Sequence, residues 1–368
     1  VTVTDLPPSL ALRCSSCGRR ETTWAWRCDC GSPFDFAEQS SAGGPAPDPA
    51  AFDARDGLWS FADFLPVGPN VTLGEGMTPL VDAPAWDASF KLEYVFPTGS
   101  FKDRGAAVML SVADELGVER VVEDSSGNAG AAVATYAARA GIDADVYVPA
   151  SVKETKLRAI ERAGATPVRV EGTREDVTDA CLDAVRSGGA WYASHAWNPA
   201  FFAGTATFAY EVALQRDWTA PDAVVAPLGH GTLFLGAYLG FRALFDAGWI
   251  DEMPRLLGAQ AAGYAPVVEA IRGPEGSAGV NDVADGIQIR EPVRREQILA
   301  AVEETDGDAI ALSEGAVERE LDALHGAGFY VEPTSAVAPA ALREYRARGV
   351  LSADDDAVVP LTGSGLKT

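Results

Sequence analysis

The sequence predicts an α/β protein of two domains, each built on an open, twisted parallel sheet, with a small cysteine-rich extension at its N-terminus. Three observations carry that expectation. From about residue 78 onward, short apolar runs alternate with helical patterns, as strands joined by helical crossovers do. Glycine- and serine-rich turns fall where strands hand over to helices, the edge at which open α/β sheets bind ligands. Four of the five cysteines lie within the first thirty residues.

Those cysteines sit in "RCSSCGRR" and "WRCDCGS", two pairs separated by a ten-residue spacer and each followed by glycine. Such pairs suit two thiolate knuckles gripping one tetrahedral metal ion. Residues 1–36 therefore read as a zinc-ribbon-like unit with Cys14, Cys17, Cys28 and Cys30 as ligands. Disulfides or free thiols are the alternative, and a cytosolic setting disfavours disulfides. The second knuckle, Cys-x-Cys, is shorter than the usual two-residue spacing. Cys181, in the helical "REDVTDACLDAVRSGG", reads as a buried core residue. Residues 37–75, with "AEQSSAGGPAPDPAAFDARDG", lack apolar periodicity and read as a linker or extended arm.

Beyond the arm, strand and helix signals pair off: "RVVEDSS" with "NAGAAVATYAARAG", "ADVYVPA" with "KETKLRAIERAG", "TPVRVEG" with the Cys181 helix, and "AWYASH" with "FFAGTATFAYEVALQ". "DAVVAPLG" and "RLLGAQ" continue the series.

The net charge of −24 is spread along the chain. It argues against nucleic acid and anionic membranes as partners. An excess of Asp and Glu with lysine depleted fits a surface adapted to high salt, where repulsion is screened. No stretch approaches a membrane span, and the N-terminus lacks a basic region followed by an apolar core, so a cytoplasmic protein is expected.

Only five lysines occur among 29 basic residues. One of them, Lys102, stands in "PTGSFKDRGA" between a glycine turn and a helix start. An amine can lose its proton and attack a carbonyl, which a guanidinium in practice cannot, so Lys102 is a candidate nucleophile. Two further loops accompany it. In "EDSSGNAG", Ser125, Ser126, Gly127 and Asn128 end a strand and open a helix, offering backbone N–H groups and an amide to a ligand. In "APLGHGTLFLGAYLG", Gly229, His230, Gly231 and Thr232 form a loop whose donors and helix dipole suit a phosphate. Each loop alone is ordinary turn chemistry. Together they describe an enzyme that uses pyridoxal phosphate on an amino acid.

The segments "PTGSFKDRG", "SSGNAG", "GHGT", "EPTSA" and "LTGSGLK" resemble, in order and spacing, the fold-type II pyridoxal-phosphate enzymes, and most closely the threonine synthases. The resemblance runs from "GEGMTPL" at 74 to the C-terminus, and the cysteine ribbon is similar to the N-terminal extension of archaeal threonine synthases. It implies a large cofactor domain over 76–105 and 206–368 and a small domain over 106–205, assembled as a homodimer. It implies that Lys102 holds the cofactor as an internal aldimine and moves protons at the substrate's carbons. Asn128 would bond the ring hydroxyl, and Ser125, Ser126 and Gly127 would receive the substrate carboxylate. Gly229, His230, Gly231 and Thr232 would hold the cofactor phosphate, and Thr362 would face the pyridine nitrogen. The implied reaction converts O-phospho-L-homoserine and water to L-threonine and phosphate.

Two departures favour a serine or threonine dehydratase instead. Threonine synthases tend to carry an arginine shortly after an "NP" pair, where it grips the leaving phosphate, and "WNPAFFAGT" has Phe201 there. "DVADGIQI" at 282–289 is closer to the dehydratase segment. His195 and His325 read as packing or surface residues, although His195 follows a strand end and so keeps a chance of touching substrate.

Overall fold

The computed structural model describes residues 6–38 and 42–367. Chain order begins with β1 (Leu12–Cys14), β2 (Arg20–Glu21), β3 (Phe34–Phe36), β4 (Leu80–Ala83), β5 (Ala88–Lys91), α1 (Lys102–Glu115), β6 (Arg120–Glu123) and α2 (Asn128–Ala140). It continues with β7 (Asp143–Pro149), α3 (Glu154–Arg162), β8 (Thr166–Val170), α4 (Arg174–Arg186), β9 (Trp191–Tyr192), α5 (Pro199–Leu214), β10 (Ala223–Pro227) and α6 (Thr232–Asp246). The remainder is β11 (Arg255–Ala261), α7 (Pro266–Arg272), α8 (Pro274–Ser277), α9 (Arg295–Glu304), β12 (Asp308–Leu312), α10 (Glu314–Gly326), α11 (Pro333–Ala347) and β13 (Ala357–Pro360).

The chain divides into two compact units. One takes residues up to Ala42 with Leu58–Glu75 and Lys102–Gly204; the other takes Gly43–Gly57, Gly76–Phe101 and the chain from Thr205. The architecture is α/β with mixed and parallel sheets, as the alternating pattern predicts.

In the first unit β6 to β9 form a four-stranded parallel sheet in the order β8-β7-β6-β9. Its helices form for local reasons. α2 is alanine-rich and stops at Gly141, whose φ of 70° closes the helix in the left-handed conformation that glycine adopts without strain. α4 starts from a capping box in which the Thr173 side chain accepts from Asp176 N–H while the Asp176 carboxylate accepts from Thr173 N–H. The antiparallel ribbon β2-β1-β3 shares the core of this unit, with Leu10, Leu12 and Phe34 buried in it. Trp24 packs on Trp191 at 4.9 Å, and Trp26 meets Tyr192 and Trp197 edge-on at 5.4 and 5.0 Å. A ribbon of some thirty residues buries too little apolar surface to stand alone, so its tryptophans complete a larger core.

The second unit holds a six-stranded sheet in the order β12-β11-β10-β13-β5-β4. All neighbours are parallel except β4, which returns antiparallel on β5 at the edge. β10 is buried at every residue, as a strand covered by helices on both faces must be. The part of α5 in this unit and α6 approach closely: a Cβ on Gly236 would lie 2.4 Å from Thr205 Oγ1, and one on Gly240 2.3 Å from Ala206 O. Below the sheet edge, Lys91 Nζ is fully buried and donates to Glu211 Oε2 at 2.8 Å, Gln215 Oε1 at 2.8 Å and Thr78 O at 2.6 Å. One of the few lysines is thus spent on a buried, fully hydrogen-bonded ion pair, the condition under which such a pair is tolerated.

Candidate active site

The first unit carries Lys102 at the first position of α1, half-buried, followed by the fully buried Asp103 and Arg104. Across the same unit, β6 ends at Glu123 and the chain turns through Ser125, Ser126 and Gly127 into Asn128, the first residue of α2. Gly127 is the N-cap, in extended conformation and with no side-chain cap. Ser125 Oγ accepts from Gly127 N–H at 3.3 Å. A Cβ at Gly130 would lie 1.8 Å from Ser125 O, so the "SSGNAG" loop requires glycine one turn into its own helix. The result is a helix N-terminus whose N-cap residue has no side chain of its own to cap it, the kind of end that binds a carboxylate or phosphate.

Glu123 and His195 meet at the same sheet edge. His195 Nδ1 lies 2.7 Å from Glu123 Oε1, with side-chain exposures of 8% and 0%. Burial, then the charge of Asp124, pushes the Glu123 carboxyl well above the usual carboxylate range; Arg174, the His195 main-chain N–H and Lys102 pull the other way. Asp124 itself accepts from Thr178 Oγ1 at 2.7 Å and Tyr192 Oη at 3.1 Å.

The second unit carries the other loop. β10 runs into Gly229, His230 and Gly231, and Gly231, at φ 78°, caps α6 without a side-chain bond. A Cβ there would lie 2.5 Å from Ile298 Cδ1, and one on Gly229 3.1 Å from Ile287 Cα. The first hydrogen bond of α6 joins Leu235 N–H to Gly231 O at 2.8 Å, which leaves the N–H groups before it without a partner in the helix. Thr362 follows β13, and its hydroxyl lies 3.1 Å from Ser335 Oγ, which accepts from Gly363 N–H at 2.8 Å. Phe101, the residue before Lys102, donates its N–H to Thr362 O at 3.0 Å, and Ser364 N–H donates to Gly99 O at 2.9 Å. Gly99, at φ 77°, makes that turn. The buried Ser100 Oγ has no partner among the described residues.

These features fit pyridoxal phosphate. An uncapped helix N-terminus behind a glycine turn suits a phosphate, a helix-start lysine suits a carbonyl carbon, and a buried hydroxyl suits a ring nitrogen. In the ribbon, the four sulfurs of Cys14, Cys17, Cys28 and Cys30 lie within 4.8 Å of one another, with Cys14–Cys30 at 3.5 Å and Cys17–Cys28 at 3.6 Å. None forms a disulfide. Sulfurs bound to tetrahedral zinc are roughly 3.8 Å apart. The Ser32 main-chain N–H and side chain hold the Cys30 thiol down to about 6.

Phe201, where an arginine is expected, is fully buried on α5, and its ring fills the space that a Cβ on Gly105 would occupy, 2.4 Å from Phe201 Cδ1. His325 Nε2 lies 3.0 Å from Val331 O, in keeping with a packing role. Glu123 and Ser335 lie inside the quoted stretches "EDSSGNAG" and "EPTSA", but the sequence reading gives neither residue a role. Proximity to "SSGNAG" and to "LTGSG" in space is what marks them.

Residues 71–363 match the family described as pyridoxal-phosphate dependent enzyme. The chain belongs to that family. Threonine synthases from Methanosarcina acetivorans and Methanocaldococcus jannaschii are 36% and 33% identical to it, each alignment covering 84% of this chain and 80% of the relative. These relatives place it on the threonine synthase branch of the family. Among solved structures, tomato threonine deaminase isoform 2 aligns with a TM-score of 0.67 at 22% identity, over 78% of this chain and 79% of that one. Maize serine racemase aligns with a TM-score of 0.66 at 22% identity, over 78% and 88%. The fold is therefore that of fold-type II, and the protein is a pyridoxal-phosphate-dependent lyase. Among the described residues no helix is long and apolar enough to cross a membrane.

Proposed function

We propose that this enzyme converts O-phospho-L-homoserine and water to L-threonine and phosphate. The observation that carries the reading is identity of 33–36% to archaeal threonine synthases across 84% of the chain, with every loop expected from the resemblance formed at a strand end or helix start. Lys102 holds the cofactor and gives and takes protons at the substrate's carbons. Ser125, Ser126 and Gly127 bind the substrate carboxylate, and Asn128 bonds the cofactor's ring hydroxyl. Gly229, His230, Gly231 and Thr232 bind the cofactor phosphate with backbone donors. The Thr362 hydroxyl, 3.1 Å from Ser335 Oγ, would serve the cofactor's ring nitrogen. A hydroxyl leaves that nitrogen unprotonated, a mild setting suited to elimination. Bound pyridoxal phosphate supplies the electron sink that stabilises negative charge at the α-carbon. The four cysteines hold a structural zinc ion.

Phe201 favours a second reading, a serine or threonine dehydratase, because an aromatic ring in the core offers a leaving phosphate no charge. The experiment is phosphate release from O-phospho-L-homoserine by the holoenzyme in concentrated KCl, with threonine measured in the same sample. Phosphate and threonine appearing together support the synthase. A cofactor-loaded enzyme that releases neither, while deaminating serine or threonine, supports the dehydratase.

A further inference from the structure

The sheet edge that presents Ser125–Asn128 also presents a buried acid and a buried imidazole. β6 ends on Glu123; beside it β9 runs on through Ala193, whose N–H donates to Val122 O at 2.9 Å, and reaches His195 two residues later. The His195 Nδ1 to Glu123 Oε1 distance of 2.7 Å fixes the ring. Glu123 Oε2 has no partner among the described residues, a costly state for a buried polar atom. An apolar pair of similar volume would fill this space at less cost. Costly ionisable groups gathered at the ligand-binding edge of a sheet mark a functional site.

We propose that His195, oriented by Glu123, is the general base that takes a proton from the water added at the substrate's β-carbon, an inference that rests on the synthase reading. An imidazole whose Nδ1–H is held by a carboxyl group is the arrangement that accepts protons near neutral pH. With Nδ1 on Glu123, the accepting atom is Nε2. Once phosphate has left, Lys102 returns to Cγ one of the two protons taken from Cα and Cβ; the water oxygen then bonds to Cβ, the Cα–Cβ π pair moves to Cα, and Lys102 returns the other proton to Cα. The water's proton passes to Nε2 and from there to the phosphate. That phosphate left with the Cγ–O electron pair and needs one proton to become hydrogen phosphate.

The test is product partition. Wild-type, His195→Gln and Glu123→Gln holoenzymes are given O-phospho-L-homoserine, and phosphate, threonine and 2-oxobutanoate are measured in each sample. The wild type yields threonine and phosphate in equal amounts. In His195→Gln the unhydrated intermediate escapes as 2-oxobutanoate and ammonia, so the threonine-to-phosphate ratio falls about 100-fold, the lower end of what a general base contributes. Glu123→Gln, which keeps a partner for Nδ1 but cannot ionise, lowers the ratio by less, and it decides the matter if His195→Gln does not fold. Threonine and phosphate falling in parallel mean a structural role and overturn the proposal, as does an unchanged ratio. A cofactor-loaded wild type that releases no phosphate overturns the synthase reading and the base role with it, which separates the two failures.

Discussion

At the scale of single residues, a few side chains carry chemistry that their neighbours cannot replace. Lys102 is the one lysine at a helix start preceded by a glycine turn. Lys102→Ala is expected to abolish both the yellow colour of the bound cofactor and threonine formation, measured by absorbance and product assay on the purified protein. Glu123 gives a pH dependence of known sign. Its carboxyl is raised in the folded state, mainly by burial, so the folded protein holds that proton more tightly than the unfolded chain does. The stability this adds is complete below the unfolded carboxylate value of about 4.3 and is lost as pH rises through the higher folded value. Glu123→Gln has no such loss. In denaturant titrations at constant salt, the variant gains on the wild type as pH climbs above about 4.

Elements are held by contacts that no single segment contains. The Lys91–Glu211 pair joins β5 to α5 inside the second unit. Lys91→Met alone strands a buried carboxylate and is expected to cost about 3–5 kcal/mol, while Lys91→Met with Glu211→Leu recovers most of that loss; chemical unfolding of the single and double variants measures the difference. The ribbon is an element of the same kind. Its tryptophans pack on Trp191, Tyr192 and Trp197, so stripping metal from the four thiolates frees Trp24 and Trp26 to solvent. Elemental analysis is expected to find about one zinc per chain, and chelation is expected to shift tryptophan emission to the red. An unshifted spectrum after complete metal removal would mean that the aromatic contacts hold the ribbon without the ion.

For the molecule as a whole, charge is the dominant property. A net charge of −24 on 368 residues repels itself across the surface, and salt shortens the reach of that repulsion from about 10 Å at 0.1 M to about 3 Å at 1 M. The thermal midpoint is therefore expected to rise steeply with KCl over that range, and scanning calorimetry at several salt concentrations checks it. A midpoint that ignores salt would mean that the acidic groups are paired locally.

The sequence by itself determined the fold class, the glycine-rich loops at strand ends and helix starts, and the four cysteines. Each is written in a short contiguous stretch: alternation of apolar runs, glycine where a turn needs it, a lysine at a helix start, cysteines a few residues apart. "SSGNAG" is legible because Gly127 and Gly130 answer a local steric demand, the close approach of Ser125 O. What only the tertiary structure decided joins residues far apart in the chain. β13 enters the middle of its sheet between β10 and β5, a position that strand pattern does not encode. Glu123 and His195, 72 residues apart, meet because β6 and β9 are neighbours, and Ser335 reaches Thr362 across 27 residues. Phe201 could be read as a missing arginine from sequence, but its place in the core against Gly105 appears only once α1 and α5 pack. Local backbone geometry is set by a residue and its near neighbours, whereas pairing across a sheet depends on which strands the whole chain brings side by side.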